Sequence, residues 1–361
     1  MQGCNNFNNL FVNSFILIMV DKMVVISMTD WQAVLLQFAR SYSFFAPVQF
    51  NGSMDYELID EENTGDIIYN HPKPSTSVKT FFLPVKENVT ADIRYQKPTL
   101  IMGVPSCDLA ALGILDEMYL NRDYTDIYYK NRRKNSILIG YDCNSTVENC
   151  HCTSYGINPF PENNFDILLV RLDENVFLQP GSEKGIAMVK ELENHVKVVE
   201  ASENEIQHIS EKRKKIADSL TQKNKKLPGY ELSGRLINES GSEIWKSYAS
   251  TCVSCGACAT ICPTCTCFLL IDRPGFEKIR QLDACQYPGF ERVAAGEDPL
   301  EELPVRFMNR YQCKYVWKPV KFKSIACTGC GRCIDTCIGK ISKNELLEEL
   351  ASGEPASEEK A

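Results

Sequence analysis

The chain has 361 residues, 44% of them hydrophobic, so it is long and apolar enough to fold around buried cores. Its net charge of −8 argues against nucleic acid as the main partner. The apolar stretch LFVNSFILIMV (10–20) is shorter than the roughly 20 residues that a membrane-spanning helix needs, so we expect no membrane span.

The N-terminal stretch 1–27 is predicted to be an extended or misassigned start, because Met23 and Met28 are equally plausible initiators. The first predicted element is a helix over 29–40, TDWQAVLLQFAR. Thr29 and Gln32 match a capping box at its start, and apolar residues recur on one face.

Four short apolar runs predict buried strands, and turn residues separate them. They span 77–85, 99–104, 136–141 and 166–171. A helix is predicted over 108–120, and the charged stretch 202–226 also favours a helix. Strands mixed with helices predict an α/β domain over 28–235.

Two cysteine runs follow and carry the most specific pattern in the chain. The first is Cys252-x2-Cys255-x2-Cys258-x3-Cys262, and the second is Cys327-x2-Cys330-x2-Cys333-x3-Cys337. This is the spacing with which bacterial two-cluster ferredoxins hold [4Fe-4S] clusters. Glycine follows the second cysteine of each run, at 256 and 331, where the backbone must turn tightly.

The spacing also predicts which cysteines share a cluster, because the fourth cysteine of each ferredoxin run ligates the other cluster. Cluster one is assigned to Cys252, Cys255, Cys258 and Cys337. Cluster two is assigned to Cys327, Cys330, Cys333 and Cys262. Structural zinc is the alternative, but it prefers two separated C-x2-C pairs.

The segment between the runs is long, with 64 residues from 263 to 326, and FEKIRQLDA (276–284) within it has helical character. We therefore predict a mainly helical ferredoxin-like domain over 236–345, followed by a flexible tail over 346–361. The fold class predicted for the whole chain is α+β.

Four cysteines of the N-terminal domain predict a third site. Cys107 and Cys143 each follow a predicted strand, and parallel neighbouring strands would bring both to one sheet edge, where α/β folds place ligands. Cys150 and Cys152 lie in the same loop as Cys143. A third [4Fe-4S] cluster is the leading hypothesis, and buried structural thiols, a zinc site and a redox disulfide are the alternatives.

Several other residues have simpler interpretations. Cys265 and Cys267 are expected to be buried structural thiols that could tune a neighbouring cluster, with a ligand role as the alternative, and no role is assigned to Cys285 or Cys313. Trp245 and Tyr248 are expected to pack rather than to carry electrons. A group of basic residues in and before the second run favours an ordinary solvated face over a docking face that tunes a cluster; its members are Lys314, Lys318, Lys321, Lys323 and Arg332.

The cysteine usage bears on the compartment. Seventeen cysteines fit either disulfides in a secreted protein or metal ligands in a cytosolic one. Repeated C-x2-C spacing does not favour disulfide geometry, so we predict metal-bound thiolates in a reducing cytoplasm.

Together, CVSCGACATICPTCTC, DACQYPGF, CTGCGRCIDTC, PSCDLAAL and ENCHC resemble the family that contains the iron–sulfur subunit of anaerobic sulfite reductase and the sulfhydrogenase β subunit. The resemblance covers about residues 30–345. It implies a non-catalytic relay in anaerobic metabolism, with a flavin- and NAD(P)H-binding subunit on one side and a terminal redox subunit on the other.

The resemblance leaves the terminal redox subunit open between a sirohaem sulfite reductase, a hydrogenase and a heterodisulfide-reductase-like assembly. The chain has no G-x-G-x-x-G fingerprint and no P-loop, which agrees with a relay role. Membership of an electron-bifurcating complex and a free-standing ferredoxin-like carrier are the alternatives.

Overall fold

The computed structural model describes residues 22–69, 72–91, 97–120 and 124–353. Its strands are β1 Val24–Ser27, β2 Ser43–Phe50, β3 Ser53–Leu58, β4 Lys86–Asn88, β5 Thr99–Pro105, β6 Ser136–Tyr141, β7 Ile167–Leu172, β8 Asn175–Pro180, β9 Val199–Glu200, β10 Phe268–Arg273 and β11 Glu277–Leu282. No helix in these ranges is both long and apolar enough to cross a membrane.

The α-helices of these ranges are α1 Met28–Ser41, α2 Lys79–Phe82, α3 Ser106–Tyr119, α4 Ile127–Lys134, α5 Glu183–Leu192, α6 Glu203–Lys223, α7 Tyr230–Glu239, α8 Ser242–Ala249, α9 Ala257–Thr260, α10 Leu303–Gln312, α11 Lys318–Phe322, α12 Arg332–Asp335 and α13 Lys343–Ser352. A π-helical turn, Cys313–Trp317, joins α10 to α11. Single 3₁₀ turns lie at Thr64–Asp66 and Cys152–Tyr155. The chain is therefore α+β, as predicted.

Eight strands form one mixed sheet in the order β3-β2-β5-β6-β7-β8-β1-β9. The central strands β2, β5, β6 and β7 pair in parallel, and the outer pairs are antiparallel. The middle strands are apolar on both sides because helices cover both faces. Trp31 and Leu35 of α1 pack on one face, and Leu109 and Leu112 of α3 pack on the other.

Most elements predicted for the first half of the chain are present, with two corrections. The strand predicted over 77–85 is wrong: Val78 and Phe82 are both buried four residues apart, which is helical spacing, and α2 forms there. Helix α1 is capped by Ser27, whose Oγ lies 3.1 Å from the amide nitrogen of Asp30, and not by Thr29.

Corrections also apply at the ends of the predicted domains. Strand β1 lies inside the stretch predicted to be an N-terminal extension, and residues 346–352 of the predicted tail belong to α13. Leu346 and Leu347 of that helix are fully buried. An apolar pair on a capped helix therefore continues the fold past residue 345. Residues 1–21 and 354–361 lie outside the described ranges.

The helical character predicted for 276–284 is wrong, because this segment is the second strand of a hairpin. Strands β10 and β11 pair antiparallel from Phe268↔Leu282 to Arg273↔Glu277. Pro274, Gly275 and Phe276 form the turn between them, and Gly275 has a φ of +82°, a left-handed conformation that glycine adopts without strain. The turn chemistry therefore outweighs the helix propensity of the charged residues.

This hairpin joins the two halves of the chain. Strand β11 also pairs with β4, so a three-stranded sheet forms across the predicted domain boundary. The buried Arg280 of β11 donates from Nε to Glu87 Oε1 of β4 at 2.8 Å and pairs with Asp126 at the start of α4. The C-terminal hairpin is thus anchored on β4 of the N-terminal half by backbone pairing, and on β4 and Asp126 by a buried ion network.

We predict that Arg280→Ala lowers the free energy of unfolding by about 3 kcal/mol, since it leaves buried carboxylates without their cation. Lys278→Ala, in the same strand, removes a 3.2 Å pair with Asp272 that is largely exposed. It should cost less than about 0.5 kcal/mol. Denaturant unfolding of both variants tests the difference, and equal costs would contradict it.

Candidate functional site

The first cysteine run begins in the loop after α8 and contains the single-turn helix α9, with Cys258 in that helix and Cys262 after it. Gly256 begins α9 with a φ of +70°, as the predicted tight turn requires. One cavity is lined by the four cysteines assigned to cluster one, Cys252, Cys255, Cys258 and Cys337. Cys333, assigned to cluster two, lies on the wall of the same cavity.

Cys337 reaches this cavity because its segment packs tightly on the beginning of the first run. A Cβ atom placed on Gly339 would lie 2.2 Å from the carbonyl oxygen of Thr251. Only glycine permits that approach. The end of the second run is therefore pressed against the start of the first, as the crossed assignment of Cys337 requires.

Contacts of Thr264 bring Cys262, the fourth cysteine of the first run, to the start of the second run. The Thr264 hydroxyl lies 3.4 Å from the Cys262 sulfur and donates to the carbonyl oxygen of Ala326 at 2.7 Å. Ala326 immediately precedes Cys327. Cys262 is thereby brought beside the second run, in the neighbourhood of the cysteines assigned with it to cluster two. Burial raises the pKa of the Cys330 thiol to about 12, and nearby Cys262 adds to the rise.

The third set of cysteines lies at the carboxyl ends of β5 and β6, which pair in parallel. The prediction of this site depended on that pairing. Cys107 is in the first turn of α3 and Cys143 follows β6. A single cavity is lined by the whole predicted set, Cys107, Cys143, Cys150 and Cys152.

The second cysteine run packs directly on this third cavity, and Cys330 lies on its wall. A Cβ atom on Gly329 would lie 2.5 Å from Cys152 Cα, and one on Gly331 would lie 2.4 Å from the carbonyl oxygen of Asn149. Both glycines have positive φ, +66° and +76°. The backbones carrying the second and third cysteine sets are therefore in direct contact.

A buried ion pair fixes this contact. Arg332, inside the second run, donates from Nη2 to Asp108 Oδ2 at 3.1 Å, and Asp108 is the residue after Cys107. Arg332 is 2% exposed and Asp108 is fully buried. Arg332 Nε also donates to the carbonyl oxygen of Pro74 at 3.0 Å. The pair therefore ties the motif PSCD to the motif CGRC in a buried setting.

Lysines reinforce the same junction. The buried Lys73 Nζ contacts the carbonyl oxygen of Cys330 and lies 2.8 Å from Asp335 Oδ2. The buried Lys343 Nζ lies 2.9 Å from Nε2 of the fully buried His151. Because an ammonium group can only donate, Nε2 must be the accepting nitrogen. Burial and the Lys343 charge lower the pKa of His151 well below its usual value.

Two further buried cations face the cysteines of the two runs, and among the described residues they have no carboxylate as a hydrogen-bond partner. Lys314 Nζ donates to Thr264 Oγ1 at 2.6 Å, and Arg310 Nη2 donates to the carbonyl oxygen of Cys258 at 3.1 Å. In the described part of the chain, Arg310 Nε has no hydrogen-bond partner. Burial lowers the pKa of Lys314, but the nearby thiols of Cys262 and Cys265 outweigh it and the pKa is raised.

Buried cations of this kind require anions nearby, because an unpaired buried charge is strongly destabilising. Thiolates bound to iron supply that negative charge. The residues present therefore fit anionic iron–sulfur clusters at these cavities. The prediction of a solvated basic face is wrong for Lys314 and Arg332, which are each 2% exposed. Lys321 and Lys323 are exposed, and Lys318 is half-buried.

Sequence reasoning missed Lys73, Lys79 and Arg310 as residues of the site. Lys79 is buried, and its Nζ donates to the carbonyl oxygen of Thr260 at 2.9 Å and to that of Cys265 at 3.1 Å. The four-residue spacing of Arg310 and Lys314 could have indicated one charged helical face toward the cysteines. Lys73 and Lys79 carry no such pattern.

The remaining predictions have mixed outcomes. Trp245 is 1% exposed and packs against Phe307 and Tyr311, as expected. Cys265 and Cys267 are only partly buried, so the expectation of buried thiols is wrong for them. Cys285 is buried and Cys313 is partly buried.

All 16 described cysteines are free thiols in this structure. Within the described ranges, no three His, Cys, Asp or Glu side chains converge closely enough to hold a single metal ion. A cubane differs from a single ion in this respect, because each of its four thiolates binds a different iron.

Comparison with known proteins agrees with the motifs. Residues 251–341 match the family of the 4Fe-4S dicluster domain. The chain is also 29% identical over 320 residues to the sulfhydrogenase 2 subunit beta of Pyrococcus furiosus, and the match covers 86% of this chain and 92% of that protein. The resemblance predicted from the motifs is confirmed.

We predict that Gly331→Ala disrupts the contact between the second and third cysteine sets, because its Cβ has no space beside Asn149. Gly156→Ala is the matched control, with a similar φ of +73° and nothing within 4 Å of the added Cβ. The control should cost about 1–2 kcal/mol from backbone strain alone. Gly331→Ala should cost more and lower the iron content; equal losses of stability would contradict the packing argument.

Proposed function

We propose that the chain is an iron–sulfur electron-transfer subunit. On this proposal it relays electrons, with a flavin- and NAD(P)H-binding subunit on one side and a terminal redox subunit of the hydrogenase class on the other. The observation that carries the proposal is the crossed contact of the two runs, with Cys337 beside the first and Cys262 beside the second. A two-cluster ferredoxin needs this arrangement. The relative's name, sulfhydrogenase 2 subunit beta, supports a place in a hydrogenase-like complex.

Three ligand sets are proposed. Cluster one is held by Cys252, Cys255, Cys258 and Cys337, and cluster two by Cys327, Cys330, Cys333 and Cys262. A third cluster is held by Cys107, Cys143, Cys150 and Cys152. When bound, each cluster supplies one-electron transfer, and the protein supplies position, burial and charge.

The sites differ in how close they come to solvent, and this difference supports an order along the path of electrons. Cys255 is exposed, whereas Cys262, Cys327 and Cys330 are buried. We propose that one partner docks near Cys255 and that the buried sites lie further along the path. Cys330 lines the third cavity, so the second and third sites are adjacent.

We propose that the chain divides into an α/β domain at 28–235, extended at its start by β1, and a ferredoxin-like domain at 236–345, extended at its end by α13. The junction between them then holds the second and third sites. A rigid junction is useful to a relay because electron transfer depends on fixed distances between centres. The buried pair of Arg332 and Asp108 supplies part of that rigidity.

Iron counting tests the three ligand sets. The anaerobically prepared full chain should hold about 12 iron atoms, four for each cluster. Cys143→Ser should lower the iron content by about four atoms while leaving the reduced clusters of the two runs visible by electron paramagnetic resonance. Cys313→Ser is the control and should keep all of the iron. A chain with about eight iron atoms that is unchanged by Cys143→Ser would remove the third cluster from the proposal.

The buried cations provide a test of electron transfer itself. We predict that Lys314→Met lowers the reduction potential of the nearest cluster by on the order of 50 mV, which is close to tenfold in the equilibrium constant of a one-electron couple. The reason is that a buried positive charge favours the reduced, more anionic cluster. Lys321→Met removes an exposed charge and should shift the potential much less. Redox titration followed by absorption near 400 nm measures both, and equal shifts would contradict the assignment.

Isolation from the native organism tests the partners. An affinity-tagged chain should co-purify with a flavin-containing subunit. Recovery of the chain alone under anaerobic, low-salt conditions would favour a free-standing carrier instead.

A further inference from the structure

Four cysteines of the described ranges are left over by the three ligand sets, and two of them are brought together by the hairpin. Cys267 immediately precedes β10, and Cys285 follows β11 by three residues. The first registered pair, Phe268↔Leu282, lies at the base of the hairpin. Beyond it, the amide of Asp283 donates to the carbonyl oxygen of Cys267 at 2.9 Å. The hairpin therefore holds Cys267 against the segment that carries Cys285.

The segment around Cys285 is fixed from several sides. The Tyr287 amide donates to the carbonyl oxygen of Ala284 at 2.9 Å, which closes a turn. Gln286 is 1% exposed, and its Nε2 donates to the carbonyl oxygen of Arg306 at 2.9 Å and contacts the Cys285 sulfur at 3.8 Å. The position of the Cys285 thiol is thus set by buried contacts.

The two thiols lie at the same end of the hairpin and affect each other's ionisation. Their mutual hydrogen bond lowers the pKa of Cys267 and raises the pKa of Cys285, whose burial raises it further. Cys267 is therefore the thiol that more readily becomes a thiolate, and Cys285 is its donor partner. One activated thiolate beside a second thiol is the arrangement that thiol–disulfide chemistry uses.

The pair also lies next to the first cysteine run. A Cβ atom on Gly256 would lie 2.6 Å from the Tyr287 ring, so the Cys285 turn packs on the loop of cluster one. Gln286 lines the same cavity as Cys258. Lys318, the first residue of α11, donates from Nζ to the carbonyl oxygen of Thr264 at 2.7 Å. This contact places the preceding π-helical turn, Cys313–Trp317, near the end of the first cysteine run. Such turns are frequent at functional sites.

We propose that Cys267 and Cys285 form a redox-active dithiol beside cluster one. This inference rests on the proposed electron-transfer function. On oxidation, the two thiols lose two electrons and two protons as one S–S bond forms. On reduction, the disulfide takes up two electrons, one at a time, from the one-electron iron–sulfur carrier of the same chain. It also takes up two protons from solvent as the S–S bond breaks.

The test maps thiols in the full, cluster-loaded chain under anaerobic conditions. The chain is treated with a stoichiometric thiol oxidant, diamide, and the remaining thiols are then alkylated and the peptides identified by mass spectrometry. A disulfide between Cys267 and Cys285 is expected, together with unchanged iron. Incubation with excess dithionite, which reduces the clusters, should return both residues to the alkylated form.

Variants separate the dithiol from a ligand role. Cys267→Ser and Cys285→Ser should each abolish this disulfide and keep the iron content of the unmodified chain. The control Cys313→Ser should keep both. Loss of about four iron atoms in Cys267→Ser, or oxidation that links a different pair, would overturn the dithiol. Because Cys267 is only partly buried, its variant remains informative if Cys285→Ser does not fold.

The failure of this inference differs from a failure of the proposed function. A chain without iron and without absorption near 400 nm would remove the electron-transfer role, whatever the thiol map gives. A fully loaded chain in which Cys267 and Cys285 remain separate thiols after oxidation would remove only the dithiol.

Discussion

The buried ion pair between Arg332 and Asp108 is the interaction on which the arrangement of the cysteine sites depends. Each residue sits beside a predicted ligand, Arg332 before Cys333 and Asp108 after Cys107. Neither side chain has appreciable exposed surface, so water does not solvate the two charges. If either partner moved away, the other would remain as an unpaired buried charge, which is strongly destabilising. The pair therefore couples the folding of the α/β sheet to that of the C-terminal cysteine runs.

The contacts around this pair follow from the same constraint. The second run approaches the third cavity so closely that only glycine fits at positions 329 and 331. Lys73 and Lys343 are buried at the junction, although burial is costly for an ammonium group. Their charges become favourable once thiolates and cluster charge lie opposite. The protein and its proposed clusters thus stabilise each other, and cluster loading is expected to be part of folding.

The hairpin of β10 and β11 has two structural roles. It anchors the C-terminal part on β4 through Arg280, and its base brings Cys267 and Cys285 together. The insertion between the two cysteine runs is therefore not a spacer. It supplies the buried cations Arg310 and Lys314 on one helical face and a thiol pair beside the first run.

The sequence by itself determined the ligand chemistry. The spacing of the two runs, the glycines after their second cysteines and the buried strands at 99–104, 136–141 and 166–171 all depend on local geometry, which a sequence pattern records directly. The helices predicted at 108–120 and within 202–226 are equally local. Resemblance to a relay family also followed from short motifs.

Only the tertiary structure decided what depends on contacts between distant residues. The pairing of Arg332 with Asp108, the burial of Lys79 and the strand character of 277–282 all arise from partners far along the chain. No local pattern encodes a partner 224 positions away. The meeting of Cys267 with Cys285 is of the same kind, because the hairpin turn, and not the spacing of the cysteines, brings them together.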